Sequence, residues 1–231
     1  MNRADIEKLI KERKGNELIN LRQVEFEKGT DLSGLNLTYA DFTDATGEGL
    51  DFTDTDLSYS ILLRVRFHHS NFTRTKCYKT NLEAADIRYS DFINTDFRGT
   101  RFKMTFMEKS VHKDVIIDDT TENYKMTCPE TGPFVCYKKC FGDLLVQLLV
   151  PADARRSSDT SRMCRCDKAK VLNITDFDHT EKFTEARSLC GRDFYYHVGE
   201  YVYEPNYNDD RWLQSTYGIH FFMTEEEAKS Y

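Results

Sequence analysis

The chain has 231 residues, 39% apolar and 31% charged, and its 16 Phe and 13 Tyr exclude a disordered chain. Scarce Gly (11) and Pro (4) exclude collagen-like and low-complexity classes. Lys and Arg number 32 against 39 Asp and Glu, and the net charge of −7 gives no global pull toward nucleic acid or an anionic membrane.

Residues 1–29 read as an N-terminal helical cap. Ile6, Leu9 and Ile10 stand at i, i+3 and i+4, and Asp5 and Glu7 lie where the helix dipole favours acids. The spacing predicts a helix over about 4–13, a break at Gly15 and a second helical turn around Leu18, Ile19 and Leu21. The opening residues lack the apolar core of a secretory signal, so a cytoplasmic location is expected. There the seven cysteines should stay reduced.

From 30 to 107 the period is five. Steps of five from Leu32 through Leu37, Phe42 and Gly47 to Phe97, Phe102 and Met107 meet an apolar residue at fifteen of sixteen positions, Gly47 being the exception. A second series two residues earlier, Ala40, Ala45, Thr55, Ser60, Thr75, Thr80 and onward, is mostly small. One large and one small inward residue every five fits neither a helix nor a flat strand, and it fits a square coil of four pentapeptides per turn.

Ala40-Asp41-Phe42-Thr43-Asp44, Thr55-Asp56-Leu57-Ser58-Tyr59 and Thr95-Asp96-Phe97-Arg98-Gly99 resemble the unit of the pentapeptide repeat family. The resemblance implies a short right-handed quadrilateral β-solenoid of about four coils, with a bulge or loop expected near Gly47 and Gly49. At a strand spacing of roughly 4.8 Å the stack would be about 19 Å tall, too short to imitate a DNA rod alone. Residues 30–60 carry seven acids and no base, which reads as a solvated face with Asp side chains bonding their own turns.

Residues 108–130 read as a connector, and 131–231 as a small α+β recognition domain. Phe134 to Cys140, Gly142-Asp143 and Leu144 to Val150 predict a β-hairpin. Strands are expected at Lys170 to Ile174 and Phe194 to Tyr203, then a short strand after Gly218, a Thr224 N-cap and a terminal helix. Lys138-Lys139-Cys140, the stretches from Val150 to Ser158 and Cys164 to Leu172, Asp210-Arg-Trp and Gly218 to Phe222 resemble an uncharacterised domain that follows such repeats in bacteriophage and bacterial proteins.

The densest chemical feature joins Arg155, Arg156, Arg162, Arg165, Lys168 and Lys170 to Ser157 and Ser158. Guanidinium forks and hydroxyls suit a phosphate or another anion held in a loop. The same residues, diluted by Asp159 and Asp167, also suit a solvated or internally paired surface. Cys136, Cys140, Cys164 and Cys166 are candidate zinc ligands, with Cys128 and Cys190 as spares. Their spacing equally fits buried thiols on adjacent strands, and the preferred reading has no cofactor.

No catalytic residue is identified: no nucleophile stands near a base and no phosphate-cradling glycine loop is present. Gly218-Ile-His-Phe-Phe with Tyr231 faintly resembles ADP-ribosyltransferases, but the later strand that family needs has no place, and Trp212, Tyr217 and His220 are assigned to packing. The expectation is a non-enzymatic binding or scaffold protein of phage or mobile-element origin, an anti-defence candidate. Its C-terminal domain would recognise a host protein or a phosphate-bearing small molecule, with the solenoid as platform or homo-oligomer interface and without membrane or direct nucleic-acid binding. Alternatives are a DNA mimic directed at a topoisomerase and a divergent ADP-ribosyltransferase-like enzyme.

Overall fold

In the computed structural model, which describes residues 1–189, 194–213 and 215–231, strands of the repeat region pair with strands twenty or twenty-one residues further on. The parallel pairs are β1 (Ile19–Asn20) with β2 (Ala40–Asp41), β3 (Thr46–Glu48) with β4 (Arg66–His68), and β5 (Asp91–Ile93) with β6 (Val111–Lys113). Single bridges such as Asp56↔Lys76 and Asn81↔Arg101 keep the same step, which is four pentapeptides. The molecule is mainly β and divides into two compact units, Met1–Lys125 and Met126–Tyr231.

Each pentapeptide position has a physical reason. The large residues are fully buried and stack in columns: Phe72 lies 4.8 Å from Phe52 and 5.1 Å from Phe92, ring centre to ring centre. The small position favours Ser and Thr because its hydroxyl reaches a carbonyl twenty-three residues back. Thr75 donates to Phe52 at 2.7 Å, Thr80 to Leu57 at 2.8 Å and Thr95 to Phe72 at 2.8 Å. The Asp or Asn between them accepts the backbone N–H two residues on, as Asp41 does from Thr43 at 2.9 Å and Asn71 from Thr73 at 3.0 Å. That bond closes the corner, where residues such as Asp44, Asp54 and Arg64 take the left-handed backbone.

The repeat runs beyond its expected limits at both ends. Ile19 and Leu21 occupy the small and large inward positions of a first unit, so β1 replaces the expected helical turn. Pairing continues through Asp96↔Ile116 and Arg101↔Glu122, so residues 108–122 of the expected connector are solenoid. His112 stacks on Phe92 at 5.3 Å, and Tyr124 covers Phe102 at 5.2 Å. No bulge lies at Gly47, which pairs in register with Phe67. The rings of Phe26 and Phe67, either side of Gly47 in its column, meet at 5.9 Å, and a Cβ on Gly47 would stand 2.9 Å from Leu50. The extra residue lies instead between Glu25 and Asp31, where the pairing step changes from twenty-one to twenty.

Helix α1 (Arg3–Glu12) begins with a reciprocal cap in which Asn2 and Asp5 accept from each other's backbone N–H. It buries Ile6, while Arg3 donates to the Ser33 carbonyl and Arg13 to that of Thr38.

In the second unit β7 (Phe134–Cys140) and β8 (Leu144–Val150) form the expected hairpin, with Cys140 opposite Leu144. The segment expected as a loop forms β9 (Arg156–Ser158) and β10 (Cys164–Cys166), followed by β11 (Lys168–Asp176). Burial of Ser157, Ser158 and all of β10 requires paired backbone there. β12 (Glu185–Arg187), β13 (Tyr195–His197), β14 (Tyr201–Tyr203), β15 (Ile219–Phe221) and α2 (Glu225–Ser230) complete the unit. The strand expected over 194–203 is thus two, broken by a turn with Gly199 at a φ of +89°. The antiparallel sheets are β14-β11-β8-β7, β15-β10-β9 and β12-β13, and their buried side chains share one core. Thr224 caps α2 in a reciprocal pair with Glu227. Among the described residues no helix is long and apolar enough to cross a membrane.

Candidate functional site

The basic segment is spent on internal partners. Arg155 pairs with Asp167 at 3.0 Å, Arg162 with Glu227 at 2.6 Å and Lys168 with Asp153 at 2.7 Å. Arg156 lies 5.2 Å from the Phe134 ring and donates to the carbonyls of Gly132, Pro151, Ala152 and Ala154. Lys170 lies 6.0 Å from the ring of Tyr201, its cross-strand neighbour. Ser157 accepts from the Tyr207 hydroxyl at 3.0 Å and Ser158 from the Thr127 N–H at 2.8 Å, both buried.

Arg165 departs furthest from the sequence reading. It is 1% exposed, and its guanidinium donates to the carbonyls of Asn208 and Asp210. Burial lowers its pKa. Gly218 makes room for it, since a Cβ there would stand 2.9 Å from the Arg165 side chain. Arg211, 4.7 Å from the ring of Trp212, donates to the carbonyls of Ser158 and Asp159. The Asp210-Arg-Trp stretch thereby holds the end of β9. In this arrangement Ser157, Ser158 and Arg165 are closed to a ligand from solvent.

Cys136, Cys140, Cys164 and Cys166 are buried in the core, and Cys128 with them; Cys190 lies outside the described residues. Among the described residues no group of three or more His, Cys, Asp or Glu is placed to hold a metal ion. Burial raises the thiol pKa of Cys136, pushes that of Cys140 up to about 11 and raises that of Cys166. A proton stays on each near neutrality.

Among the described residues His112 Nδ1 stands 3.2 Å from the Tyr124 hydroxyl in the first unit, and in the second a base stands beside an aliphatic hydroxyl. His179 Nδ1 is 3.2 Å from Thr175 Oγ1, and its Nε2 is 2.8 Å from Glu225. Thr175 is buried, and Glu225 also holds Lys229, whose ammonium donates to the Phe177 carbonyl. The row fastens α2 to the end of β11.

A cavity of about 490 Å³ opens elsewhere in this unit, lined by Lys138, Met163, Leu189, Tyr217, His220 and Tyr231, with Ser215 and Thr216 beside them. Tyr217, assigned to packing by the sequence, is 64% exposed and forms a wall. β15 explains His220: Ile219 and Phe221 turn into the core, so the residue between them turns to the opposite face. Lys138 donates to the His220 carbonyl at 3.1 Å. Nε2 of His220 is shielded from solvent without a hydrogen-bond partner among the described residues. Burial, reinforced by the charges of Lys138 and Arg165, pushes the His220 pKa down to about 4 and keeps the ring neutral.

Comparison with known proteins gives two family matches. Residues 28–62, 51–88, 66–103 and 77–110 match the model for pentapeptide repeats, and 124–228 match a family of unknown function, DUF5758. Curated proteins give no significant match. Among solved structures, the pentapeptide repeat protein Rfr23 from the cyanobacterium Cyanothece 51142 is 16% identical, covering 45% of this chain and 87% of its own at a TM-score of 0.40. HetL, involved in heterocyst differentiation regulation in Nostoc sp. strain PCC 7120, is 17% identical, with coverages of 42% and 56% and a TM-score of 0.24. A trypsin-treated form of QnrB1, a plasmid-mediated fluoroquinolone resistance protein, is 14% identical, with coverages of 45% and 85% and a TM-score of 0.21. At these scores nothing of what those proteins do passes to this chain.

Proposed function

From a chain that carries pentapeptide repeats followed by a DUF5758 domain, we propose a non-enzymatic binding protein whose C-terminal unit recognises a small-molecule ligand. The carrying observation is the cavity: it is solvent-accessible and apolar-walled, and it borders a neutral imidazole whose Nε2 has no partner among the described residues. The proposal moves recognition away from the basic and hydroxyl side chains of residues 155–170, which pair with partners in the same unit, and keeps from that stretch Met163, which lines the cavity.

The solenoid is then a rigid platform, with α1 covering one end of its stack. Its acids support this role over that of a DNA-like rod: Asp41, Asp51 and Asp56 bond their own turns, and Asp44 and Asp54 pair with Arg64 and Arg74. The phage or mobile-element setting and a host target belong to this proposal and rest on the family resemblance.

Equilibrium dialysis of the full chain against pools of small molecules, read by mass spectrometry, tests it. Retention of a compound recovered at unchanged mass is expected. A new product mass, or retention of nothing, overturns the reading.

A further inference from the structure

We propose that Cys128 and Cys164 form a modification site, a thiol pair that a hydroperoxide converts to a disulfide, with Cys128 as the attacking sulfur and Cys164 as the resolving one. The site is independent of the ligand proposed for the cavity.

Strand register brings the two sulfurs together. Ser158 stands opposite Cys164 across β9 and β10, and its hydroxyl accepts from the Thr127 N–H at 2.8 Å. Cys128, the next residue, is thereby carried to Cys164, and the two thiols share a hydrogen bond. Both side chains lie in one core cluster, so neither has to travel to meet the other.

The pair is polarised. By donating to the Cys128 sulfur, Cys164 holds the Cys128 thiol below the usual range, and the charges of Arg156 and Arg211 act in the same direction. The same bond, with burial, raises Cys164. Burial raises the remaining described thiols, Cys77, Cys136, Cys140 and Cys166. The thiolate is the nucleophile, so among the described cysteines Cys128 is the one suited to attack.

The chemistry balances in two steps. The Cys128 sulfur attacks one oxygen of hydrogen peroxide; an S–O bond forms as the O–O bond breaks, and the leaving hydroxide takes the thiol proton as water. The Cys164 sulfur then attacks the Cys128 sulfur; the S–S bond forms as the S–O bond breaks, and the second hydroxide leaves with the Cys164 proton. Two thiols are oxidised to a disulfide and one peroxide is reduced to two waters. Burial of both sulfurs selects this oxidant, since a hydroperoxide is small where a disulfide reagent must bring its own bulk to the attacked atom. The new bond would close a loop holding β7, β8 and β9 and restrict the unfolded chain.

Treating the full chain with hydrogen peroxide at neutral pH, then alkylating and mapping peptides without reductant, tests the pair. A peptide joined through Cys128 and Cys164, lighter by two hydrogens and released by dithiothreitol, should form at least about tenfold faster than Cys136, Cys140 or Cys166 is oxidised. Cys164→Ser should stop at added oxygen on Cys128, and Cys128→Ser should leave Cys164 unoxidised over the same time. If a serine variant loses its circular dichroism spectrum, Cys164→Ala or Cys128→Ala replaces it. The oxidised chain should unfold at a higher denaturant concentration than the reduced one.

Absence of a cross-link in the folded chain, a cross-link through any other pair, or oxygen gained first by Cys164 overturns the inference. So does an oxidised chain that unfolds at or below the reduced midpoint, because the bond would then form only by straining the native pair.

Discussion

In the repeat unit the buried hydroxyl of Thr95 reaches the carbonyl of Phe72, and the same bond recurs at Thr75, Thr80 and Thr105; in the C-terminal unit the buried Arg165 reaches the carbonyls of Asn208 and Asp210 through a contact made once. The solenoid satisfies its interior by translation, so each coil repeats the solution of the coil before it. The C-terminal unit satisfies its interior by contacts between distant segments. A change in the first should therefore be felt by neighbouring coils, and a change in the second by the whole unit.

The largest expected effect comes from Arg165→Ala. It empties the space against Gly218 and withdraws the guanidinium from two carbonyls, for a loss of about 4 kcal/mol. Denaturant unfolding measures the total, and hydrogen exchange locates it. Protection should fall throughout residues 126–231 and hold over 19–122. An equal fall in both regions would break the contrast between the units.

His220 sharpens the contrast through pH. Its folded pKa of about 4 lies below the unfolded value of 6.5, so between these limits the unfolded chain holds more protons and stability rises with pH. On acidification from pH 6.5 to 4 this group withdraws up to about 3 kcal/mol. His220→Gln should flatten that part of the stability profile, measured by thermal melts across the window. Identical slopes for the two proteins would mean that the ring is not held neutral by burial beside Lys138 and Arg165.

These differences also govern what the sequence makes legible. The five-residue period announces itself because one environment is repeated along the stack. Its ends hide for local reasons: an extra residue between Glu25 and Asp31 shifts Leu21 and Phe26 out of frame, His112 stands where a Leu or Phe would have been counted, and Tyr124, which covers Phe102, lies off the five-residue frame. In the C-terminal unit the β7–β8 hairpin and α2 are readable because Gly142-Asp143 and the Thr224–Glu227 cap are local signals. The cavity is not, since Lys138, Met163, Leu189, Tyr217, His220 and Tyr231 come from scattered places. Arg165 sits in a basic run that reads as surface, and its burial depends on carbonyls more than forty residues away.

A smaller effect is expected from Thr95→Val, which keeps the buried shape and removes the hydroxyl. The Phe72 carbonyl still accepts from the Thr75 N–H at 3.1 Å, so the loss should be about 1 kcal/mol. Denaturant midpoints should show it, and hydrogen exchange should confine it to the coils holding residues 75 and 95. A loss as large as that of Arg165→Ala would end the argument that translation spreads the burden.

The smallest effect belongs to the solenoid corners. Arg64 meets Asp44 in two parallel hydrogen bonds of 2.7 and 2.8 Å, and the bond from Arg64 lowers the pKa of Asp44. The equivalent place in another column holds two stacked tyrosines, Tyr39 and Tyr59, 5.1 Å apart. An ion pair and an aromatic stack thus occupy the same kind of corner, which is closed by the left-handed backbone and the inner Asp41–Thr43 bond. Because the pair is solvent-exposed, Arg64→Ala should leave the melting midpoint unchanged within error at physiological salt. Asp41→Ala, in the pentapeptide of Asp44, should lower it, since Asp41 accepts from both the N–H and the hydroxyl of Thr43 inside the turn. If Arg64→Ala costs as much as Asp41→Ala, the corners are held from outside and their sequence freedom needs another cause.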